Sequence, residues 1–156
     1  MNGHHHLITK SPQPLRWLIV DDNRDILAML QAVLTPLHLG QVECFDSPLA
    51  AFAAFTAAPD AYEMVITDFE MPGMDGIELC RRLRALVPAL KVFLATGSGF
   101  FTEAAAHHAG FCALLNKPFP ISDLKRALVE AGVPTKNHSL PLKNLRSEQT
   151  TTTNER

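Results

Sequence analysis

The stretch VITDFEMPGMDG, residues 65–76, places a carboxylate directly after a run of residues typical of a strand. Residues 65–67 are apolar or β-branched, and Asp68 follows them at the end of the run. Pro72 and Gly73 then favour a turn. Asp68 therefore either caps that turn or takes part in chemistry, and the rest of the sequence decides between these two interpretations.

Segments with strand and helix patterns alternate on both sides of this stretch. Short apolar or alternating runs predict five strands, at residues 16–20, 41–45, 62–67, 91–95 and 112–116. Apolar residues at a spacing of three to four predict helices between and after them, at residues 22–34, 48–58, 77–87, 102–109 and 122–131. This alternation predicts an α/β fold, a doubly wound five-stranded parallel sheet with five helices on its two faces.

Capping residues support the helix boundaries. Asp22 or Asn23 is predicted to cap the first helix, Ser47 the second and Ser122 the last. Gly132 is predicted to close the last helix at its C-terminal end.

Composition limits the class of protein. A chain of 156 residues suggests one domain with some tail, and a net charge of -2 gives no indication of a nucleic-acid or membrane surface. No apolar run approaches the roughly 18 residues of a membrane span, and no secretory signal pattern is present. The three cysteines have no CxxC spacing, which indicates reduced thiols in a cytoplasmic protein.

The two ends of the chain are set apart from the folded region, which we expect at residues 15–132. Residues 1–14 are interpreted as a native arm or the remnant of an expression tag, and a metal role for His4–His6 is disfavoured. Residues 133–156 are polar with a threonine run, and they are expected to form a disordered tail or linker.

Polar residues stand at the ends of four predicted strands. Asp21 and Asp22 follow the first strand, Asp68 the third, Thr96 the fourth and Lys117 the fifth. In open parallel sheets, ligands bind beyond the carboxyl ends of the strands. Taken singly, these residues have ordinary explanations as a helix cap, a turn residue, a strand end and a surface lysine. Their joint placement favours a site.

Three carboxylates in one pocket repel each other by about 4 kcal/mol per pair, for charges about 4 Å apart at an effective dielectric near 20. Lys117 supplies one positive charge, and a divalent cation would supply two. The oxygen-only ligands favour Mg²⁺. A carboxylate can also accept a phosphoryl group as an acyl phosphate. Asp68 is the predicted acceptor because Asp21 and Asp22 stand at a helix start, while Lys117 and Thr96 are candidates to bind phosphoryl oxygens.

Four motifs in this order carry a resemblance to a known family. They are LIVDDN (18–23), VITDFEMPGMDG (65–76), FLATG (93–97) and NKPF (116–119). With these motifs, about residues 15–132 resemble the receiver domain of two-component response regulators, including chemotaxis regulators. The resemblance implies a flavodoxin-like fold and phosphorylation of Asp68 by a histidine kinase or a histidine phosphotransfer protein.

The resemblance also implies roles for the other site residues. Asp22 and Asp68 would bind Mg²⁺ directly, with the Glu70 backbone carbonyl as a third ligand, and Asp21 would act mainly through a water. Lys117 would pair with the phosphoryl group from a loop with a cis peptide bond before Pro118. Thr96 would move to bind the phosphoryl group and so trigger the switch.

Three positions depart from the family pattern or adjust it. Leu114 stands three residues before Lys117, where the family usually has a tyrosine or phenylalanine that moves with the threonine. We therefore expect the output surface to depend less on that aromatic coupling. Glu70 and Ser98 occupy positions that modulate hydrolysis of the acyl phosphate, and the direction of the Glu70 effect does not follow from the sequence.

Phe100 and Phe101 precede the short fourth helix. Either one ring packs inward, which we favour, or the two form a hydrophobic surface that binds a partner. His107 and His108 are adjacent on that helix and are predicted to be surface residues rather than metal ligands.

The sequence favours a phosphorylatable signalling switch over two other classes. Its output is expected through contact with an unidentified downstream protein, either as a stand-alone regulator or as the receiver of a hybrid histidine kinase or larger regulator. A binding module independent of phosphorylation is disfavoured because all five site residues are intact. A Mg²⁺-dependent phosphatase with an aspartyl nucleophile is disfavoured because no cap domain is evident. The chain is thus expected to catalyse only its own phosphorylation and dephosphorylation.

Overall fold

A computed structural model describes residues 15–38 and 40–136 of the chain. The interpretation of residues 1–14, including His4–His6, therefore lies outside the described part, and so does that of the expected tail, residues 133–156, from residue 137 onward.

Five strands and five helices alternate along the described chain. The strands are β1 Arg16–Val20, β2 Val42–Phe45, β3 Tyr62–Asp68, β4 Lys91–Thr96 and β5 Ala113–Asn116. The helices are α1 Arg24–Leu34, α2 Pro48–Ala57, α3 Gly76–Leu86, α4 Glu103–His108 and α5 Ile121–Glu130. A short 3-10 helix, Pro59–Ala61, precedes β3 and had no counterpart in the sequence-based assignment.

All neighbouring strands pair in parallel, in the order β2-β1-β3-β4-β5. This is the flavodoxin-like order, in which the chain reverses direction across the sheet between β1 and β3. The predicted fold class is therefore confirmed. Among the described residues, no helix has the length and apolar character needed to cross a membrane.

The sheet is buried on both faces, which explains why its strands are nearly continuous apolar runs. Successive residues of β1 enter different cores: Leu18 packs with residues of α2 and α3, while Ile19 packs with residues of α1 and α5. Trp17 and Phe93 are fully buried. Fully burying a large apolar side chain contributes about 1.5–3 kcal/mol, so these two cores hold the strand ends in fixed positions.

The predicted helix boundaries lie within one or two residues of the observed ones. Ser47 accepts a hydrogen bond from the backbone N–H of Ala50, as predicted for a cap. Gly132 has a φ of 69° and closes α5, also as predicted. The assignment of Ser122 as the cap of α5 is wrong. The helix begins at Ile121, directly after an extended Pro120, so Ser122 already lies inside the first turn and cannot cap it.

Candidate functional site

Three carboxylates meet at the carboxyl edge of the sheet. Asp21 follows β1 and Asp68 ends β3, and these strands are direct neighbours, with Val20 opposite Thr67. Asp21, Asp22 and Asp68 each offer an oxygen, and these three oxygens lie within 4.8 Å of one another. Asp21 is buried, Asp68 is partly buried and Asp22 is exposed.

Each oxygen of the Asp21 carboxylate has a protein partner. Its Oδ2 lies 2.5 Å from Nζ of Lys117, and its Oδ1 accepts a hydrogen bond of 2.9 Å from the backbone N–H of Asn23. Only 3% of its side chain is exposed. The position of the Asp21 side chain is therefore held by contacts with the protein.

In the part of the chain that the structure describes, Asp22 is not the residue that caps α1. The cap of α1 is Asn23, whose side chain accepts hydrogen bonds from the backbone N–H groups of Asp25 and Ile26 at 2.9 and 3.3 Å. The sequence left Asp22 and Asn23 as alternative caps, and the structure selects Asn23. The Asp22 carboxylate remains exposed beside the other two.

The surroundings of Asp68 make the ionised form of its carboxyl group less favourable. Burial raises the pKa of the Asp68 carboxyl, and the nearby Asp21 raises it further, while Lys117 and a hydrogen bond from the Phe69 backbone lower it. The net direction is upward, because burial is the largest of these effects. Asp68 is thus a partly desolvated carboxylate, with 13% of its side chain exposed.

Lys117 bridges two of the carboxylates. Its Nζ lies 3.1 Å from Oδ1 of Asp68 as well as 2.5 Å from Asp21. The backbone N–H of Lys117 donates to the Thr96 carbonyl at 2.9 Å, and this bond holds the residue beside the end of β4. The peptide bond between Lys117 and Pro118 is cis. Three ionised carboxylates and one ammonium leave two negative charges in excess, so the donor set suits a hard divalent cation with oxygen ligands.

Thr96 lies beside this pocket with its hydroxyl turned into the following loop. The side chain is 2% exposed, and its Oγ1 accepts a hydrogen bond of 3.1 Å from the backbone N–H of Ser98. The Ser98 hydroxyl in turn accepts one of 3.4 Å from the backbone N–H of Phe100. Thr96 and Ser98 are therefore joined directly, a link that their spacing of two residues did not reveal.

The loop after Asp68 is pinned against the end of β3. The backbone N–H of Gly76 donates to the Phe69 carbonyl at 2.9 Å. A Cβ at Gly76 would lie 2.3 Å from the Asp68 carbonyl oxygen, so no other residue fits there without displacing backbone. Asp75 caps α3 through the backbone N–H of Glu78 at 2.8 Å. The sequence indicated only that Asp75 and Gly76 lead into the helix.

The remaining predicted residues fall into exposed and buried groups. Glu70 is exposed, and the ion pairs of Lys117 within the described chain are with the two aspartates rather than with Glu70. Leu114 is 7% exposed and belongs to the core on the α2 and α3 side of the sheet.

The two adjacent phenylalanines have different surroundings. The Phe101 ring meets Phe69 edge to face, with ring centroids 4.7 Å apart, while Phe100 is 90% exposed. One ring therefore packs inward, as favoured from the sequence. His107 and His108 are exposed, also as expected.

Residues 17–129 match the response regulator receiver domain family. The chain therefore belongs to this family, and it is a receiver domain of two-component signal transduction. Receiver domains are signalling modules that interact with histidine kinases or phosphotransfer proteins, and they generally bind Mg²⁺ through acidic residues.

Curated relatives include regulators and a sensor protein. The chain is 35% identical over 127 residues to the C4-dicarboxylate transport transcriptional regulatory protein DctD of Rhizobium meliloti, covering 78% of this chain and 27% of DctD. It is 37% identical over 132 residues to the virulence sensor protein BvgS of Bordetella bronchiseptica, covering 79% of this chain and 10% of BvgS. The chain thus spans about a quarter and a tenth of these two relatives.

Solved structures share the fold. A receiver domain protein from Clostridium thermocellum is 27% identical with a TM-score of 0.67, over 75% of this chain and 93% of that one. The signal receiver domain of an HD domain-containing protein from Pseudomonas fluorescens is 28% identical with a TM-score of 0.67, over 76% and 94% of the two chains.

Proposed function

We propose that Asp68 is the phosphoacceptor of this receiver domain and that its phosphorylation is the signal. The observation that carries the proposal is the position of the Asp68 carboxylate, which lies 3.1 Å from Nζ of Lys117 and within 4.8 Å of carboxylate oxygens of Asp21 and Asp22. Burial raises the pKa of Asp68, so its carboxylate is partly desolvated there. Forming the acyl phosphate, a mixed anhydride, would place the negative charge on the phosphoryl oxygens, where Lys117 and Mg²⁺ would partly neutralise it.

Asp22 and Asp68 are the proposed direct ligands of Mg²⁺, with the Glu70 backbone carbonyl as a third. Asp21 is proposed to act through a water, which agrees with the contacts of its two oxygens with Lys117 and the Asn23 backbone. The exposure of Asp22 gives the ion access from solvent. When bound, Mg²⁺ supplies charge neutralisation for the carboxylates and the phosphoryl oxygens.

In the proposed reaction, an Asp68 carboxylate oxygen attacks the phosphorus of a phosphohistidine. A new P–O bond forms, the P–N bond breaks, and the imidazole leaves with the bonding electron pair and takes up a proton. Lys117 already lies 3.1 Å from Asp68 Oδ1, so its ammonium can bind a phosphoryl oxygen after a small movement. The Thr96 hydroxyl would bind another by turning away from Ser98.

The proposed donors are a histidine kinase or a histidine phosphotransfer protein, and the proposed output is contact with a downstream protein. The relatives include both transcriptional regulatory proteins and a sensor protein. The proposal therefore covers both a stand-alone regulator and the receiver of a hybrid kinase or larger regulator. We propose no direct contact of the receiver domain with nucleic acid or a membrane. We also propose no catalysis beyond the phosphorylation and dephosphorylation of the domain itself.

A cytoplasmic location is part of the proposal. It is supported by the three cysteines, Cys44, Cys80 and Cys112, which are all free thiols. Burial raises the pKa of the Cys80 thiol to about 11, which keeps it unreactive.

The central experiment is phosphorylation by small donors. The protein is incubated with Mg²⁺ and either acetyl phosphate or phosphoramidate, and its intact mass is recorded. We expect a gain of one phosphoryl group that hydroxylamine removes and that Asp68→Asn abolishes. Asp60→Asn, at an exposed position outside the site, serves as the matched control and should label like the wild type. If neither donor labels the wild type, the binding module independent of phosphorylation becomes the better interpretation.

Glu70 and Ser98 are proposed to modulate the lifetime of the acyl phosphate. Once Asp68 is labelled, its lifetime is compared in the wild type, Glu70→Asn and Ser98→Ala after removal of the donor. A changed lifetime supports the role of that residue, and a lifetime equal to that of the wild type removes it from the proposal.

A further inference from the structure

Leu114 cannot couple the site to the surface by rotating a ring. It has no ring, it is 7% exposed, and it packs in the core with neighbours that include Leu94 and Phe111. Interiors are packed densely, so a buried leucine among such neighbours has one well-defined place. A change at Thr96 must therefore reach the surface by another route.

The loop between β4 and α4 provides a continuous set of contacts that begins at Thr96. The Thr96 hydroxyl accepts from the backbone N–H of Ser98 at 3.1 Å, and the Ser98 hydroxyl accepts from the backbone N–H of Phe100 at 3.4 Å. The next residue, Phe101, meets the Phe69 ring edge to face at 4.7 Å.

Phe69 directly follows Asp68, so the loop is tied to the site at both ends. One tie is the Thr96 hydroxyl and the other is the aromatic contact beside the acceptor. Between them, a Cβ at Gly97 or Gly99 would have no atom within 4 Å, so the loop has room to move.

Phe101 also directly precedes Thr102, the cap of α4. Thr102 caps this helix by accepting from the backbone N–H of Ala105 at 3.1 Å. The helix has six residues, of which only Ala106 is buried. A helix with so few buried contacts has little local stability of its own, and its position depends on the segment that leads into it.

We infer that Phe101 is the positioning residue that couples Asp68 to α4, through its edge-to-face contact with Phe69. This inference rests on the proposed phosphorylation of Asp68. When the Thr96 hydroxyl turns to a phosphoryl oxygen, its bond with Ser98 weakens and residues 97–101 shift. The Phe101 ring then moves across Phe69 and carries the start of α4 with it.

The test follows backbone amide NMR signals of the whole chain as Mg²⁺ and beryllofluoride, an acyl phosphate mimic, are added. The variants are Phe101→Leu and Phe69→Leu, which keep apolar bulk and remove one ring each. The matched control is Phe100→Leu, which changes the exposed neighbouring ring. Spectra and melting temperatures without the mimic show whether each variant is folded.

In the wild type and Phe100→Leu, we expect the mimic to shift the amides of residues 68–70 and 117, and also those of α4. In Phe101→Leu and in Phe69→Leu, the shifts near Asp68 should persist while those of α4 fall at least twofold. This separation is the signature of lost coupling, because a merely structural defect would lower the melting temperature or remove the helical signals of α4 before the mimic is added.

Three outcomes would overturn the inference. In the first, the α4 shifts of folded Phe101→Leu and Phe69→Leu equal those of the wild type. In the second, the wild type shows shifts near Asp68 but none in α4, which leaves the proposed function intact. In the third, the wild type shows no shift at all, and the proposed phosphorylation fails together with the inference. If only one of the two variants folds, its α4 shifts alone are compared with those of the wild type, and equal shifts overturn the inference.

Discussion

Lys117 forms its shortest ion pair with Asp21, at 2.5 Å, although the two residues are 96 positions apart in the chain. The contact joins the loop after β5 to the end of β1, across the two strands that lie between them in the sheet. The ammonium group is therefore committed to a structural partner in addition to Asp68. The ion pair both assembles the pocket and keeps a positive charge beside the proposed acceptor.

We expect this ion pair to carry measurable stability. Lys117→Met should lower the free energy of unfolding by about 1–3 kcal/mol in Mg²⁺-free buffer, because it leaves the buried Asp21 carboxylate unpaired beside two others. Urea denaturation of Lys117→Met, Asp21→Asn and the double variant gives the coupling energy, which we expect at about 1 kcal/mol or more.

A surface pair is the control for that cycle. Arg24 and Asp46 lie 2.8 Å apart but are 85% and 44% exposed, so their coupling should be about 0.5 kcal/mol or less. Equal coupling energies for the two pairs would contradict the structural role of the Lys117–Asp21 contact.

Gly76 should be intolerant of any side chain. Gly76→Ala places a Cβ 2.3 Å from the Asp68 carbonyl oxygen, and relieving that overlap requires backbone movement at the end of β3. We expect a loss of about 1–3 kcal/mol or more in the free energy of unfolding, measured by urea denaturation.

Gly97→Ala is the matched control, since a Cβ there has no neighbour within 4 Å. Its effect should remain within about 0.5 kcal/mol, as for an ordinary surface change. A loss of similar size at both glycines would rule out the close approach as the cause.

His38 should make the fold sensitive to mild acid. It is 1% exposed and stacked on Trp17 at 4.2 Å, and neither ring nitrogen has a hydrogen-bond partner within the described chain. Burial lowers the pKa of His38 below its usual 6.5; the nearby Leu15 backbone opposes this effect, and the charge of Lys136 adds to it.

The sign of the effect follows from proton binding. Below pH 6.5 the unfolded chain takes up a proton at His38 that the folded chain does not, so stability falls as the pH drops toward the lowered pKa. The slope for one proton is at most about 1.4 kcal/mol per pH unit. Urea denaturation between pH 7.5 and pH 5 should show this slope in the wild type and a smaller one in His38→Phe. His108→Gln changes an exposed histidine and should keep the slope of the wild type.

Leu114 should matter for stability and not for phosphoryl acceptance. Leu114→Ala removes buried atoms from the core and should lower the free energy of unfolding by about 2–5 kcal/mol. Labelling of Asp68 by acetyl phosphate, measured by intact mass under conditions where the variant is folded, should remain at the level of the wild type. A folded variant that has lost labelling would show that Leu114 acts on the site after all.

Sequence patterns were sufficient for the architecture because each strand is a short apolar run and each helix has the spacing of one buried face. The Ser122 cap was misassigned because a serine inside the first turn has the same composition signal as one just before it. The helix instead begins directly after Pro120, whose extended geometry marks the boundary.

The site was predictable where residues stand at strand ends, since parallel strands bring such residues to one edge. The partners within the site were not predictable. The bond between Lys117 and Asp21, the contact between Phe101 and Phe69, and the approach of Gly76 to Asp68 all depend on loop paths. No periodic pattern in the sequence encodes those paths.

Because Gly76 packs against the Asp68 carbonyl, the pocket is rigid on its α3 side, in contrast to its α4 side. On the α3 side, helix and strand meet backbone to backbone, so the end of β3 and the start of α3 move only as a unit. On the α4 side, the loop has open space around Gly97 and Gly99. We therefore expect a change at Asp68 to displace the loop between β4 and α4 more than the start of α3.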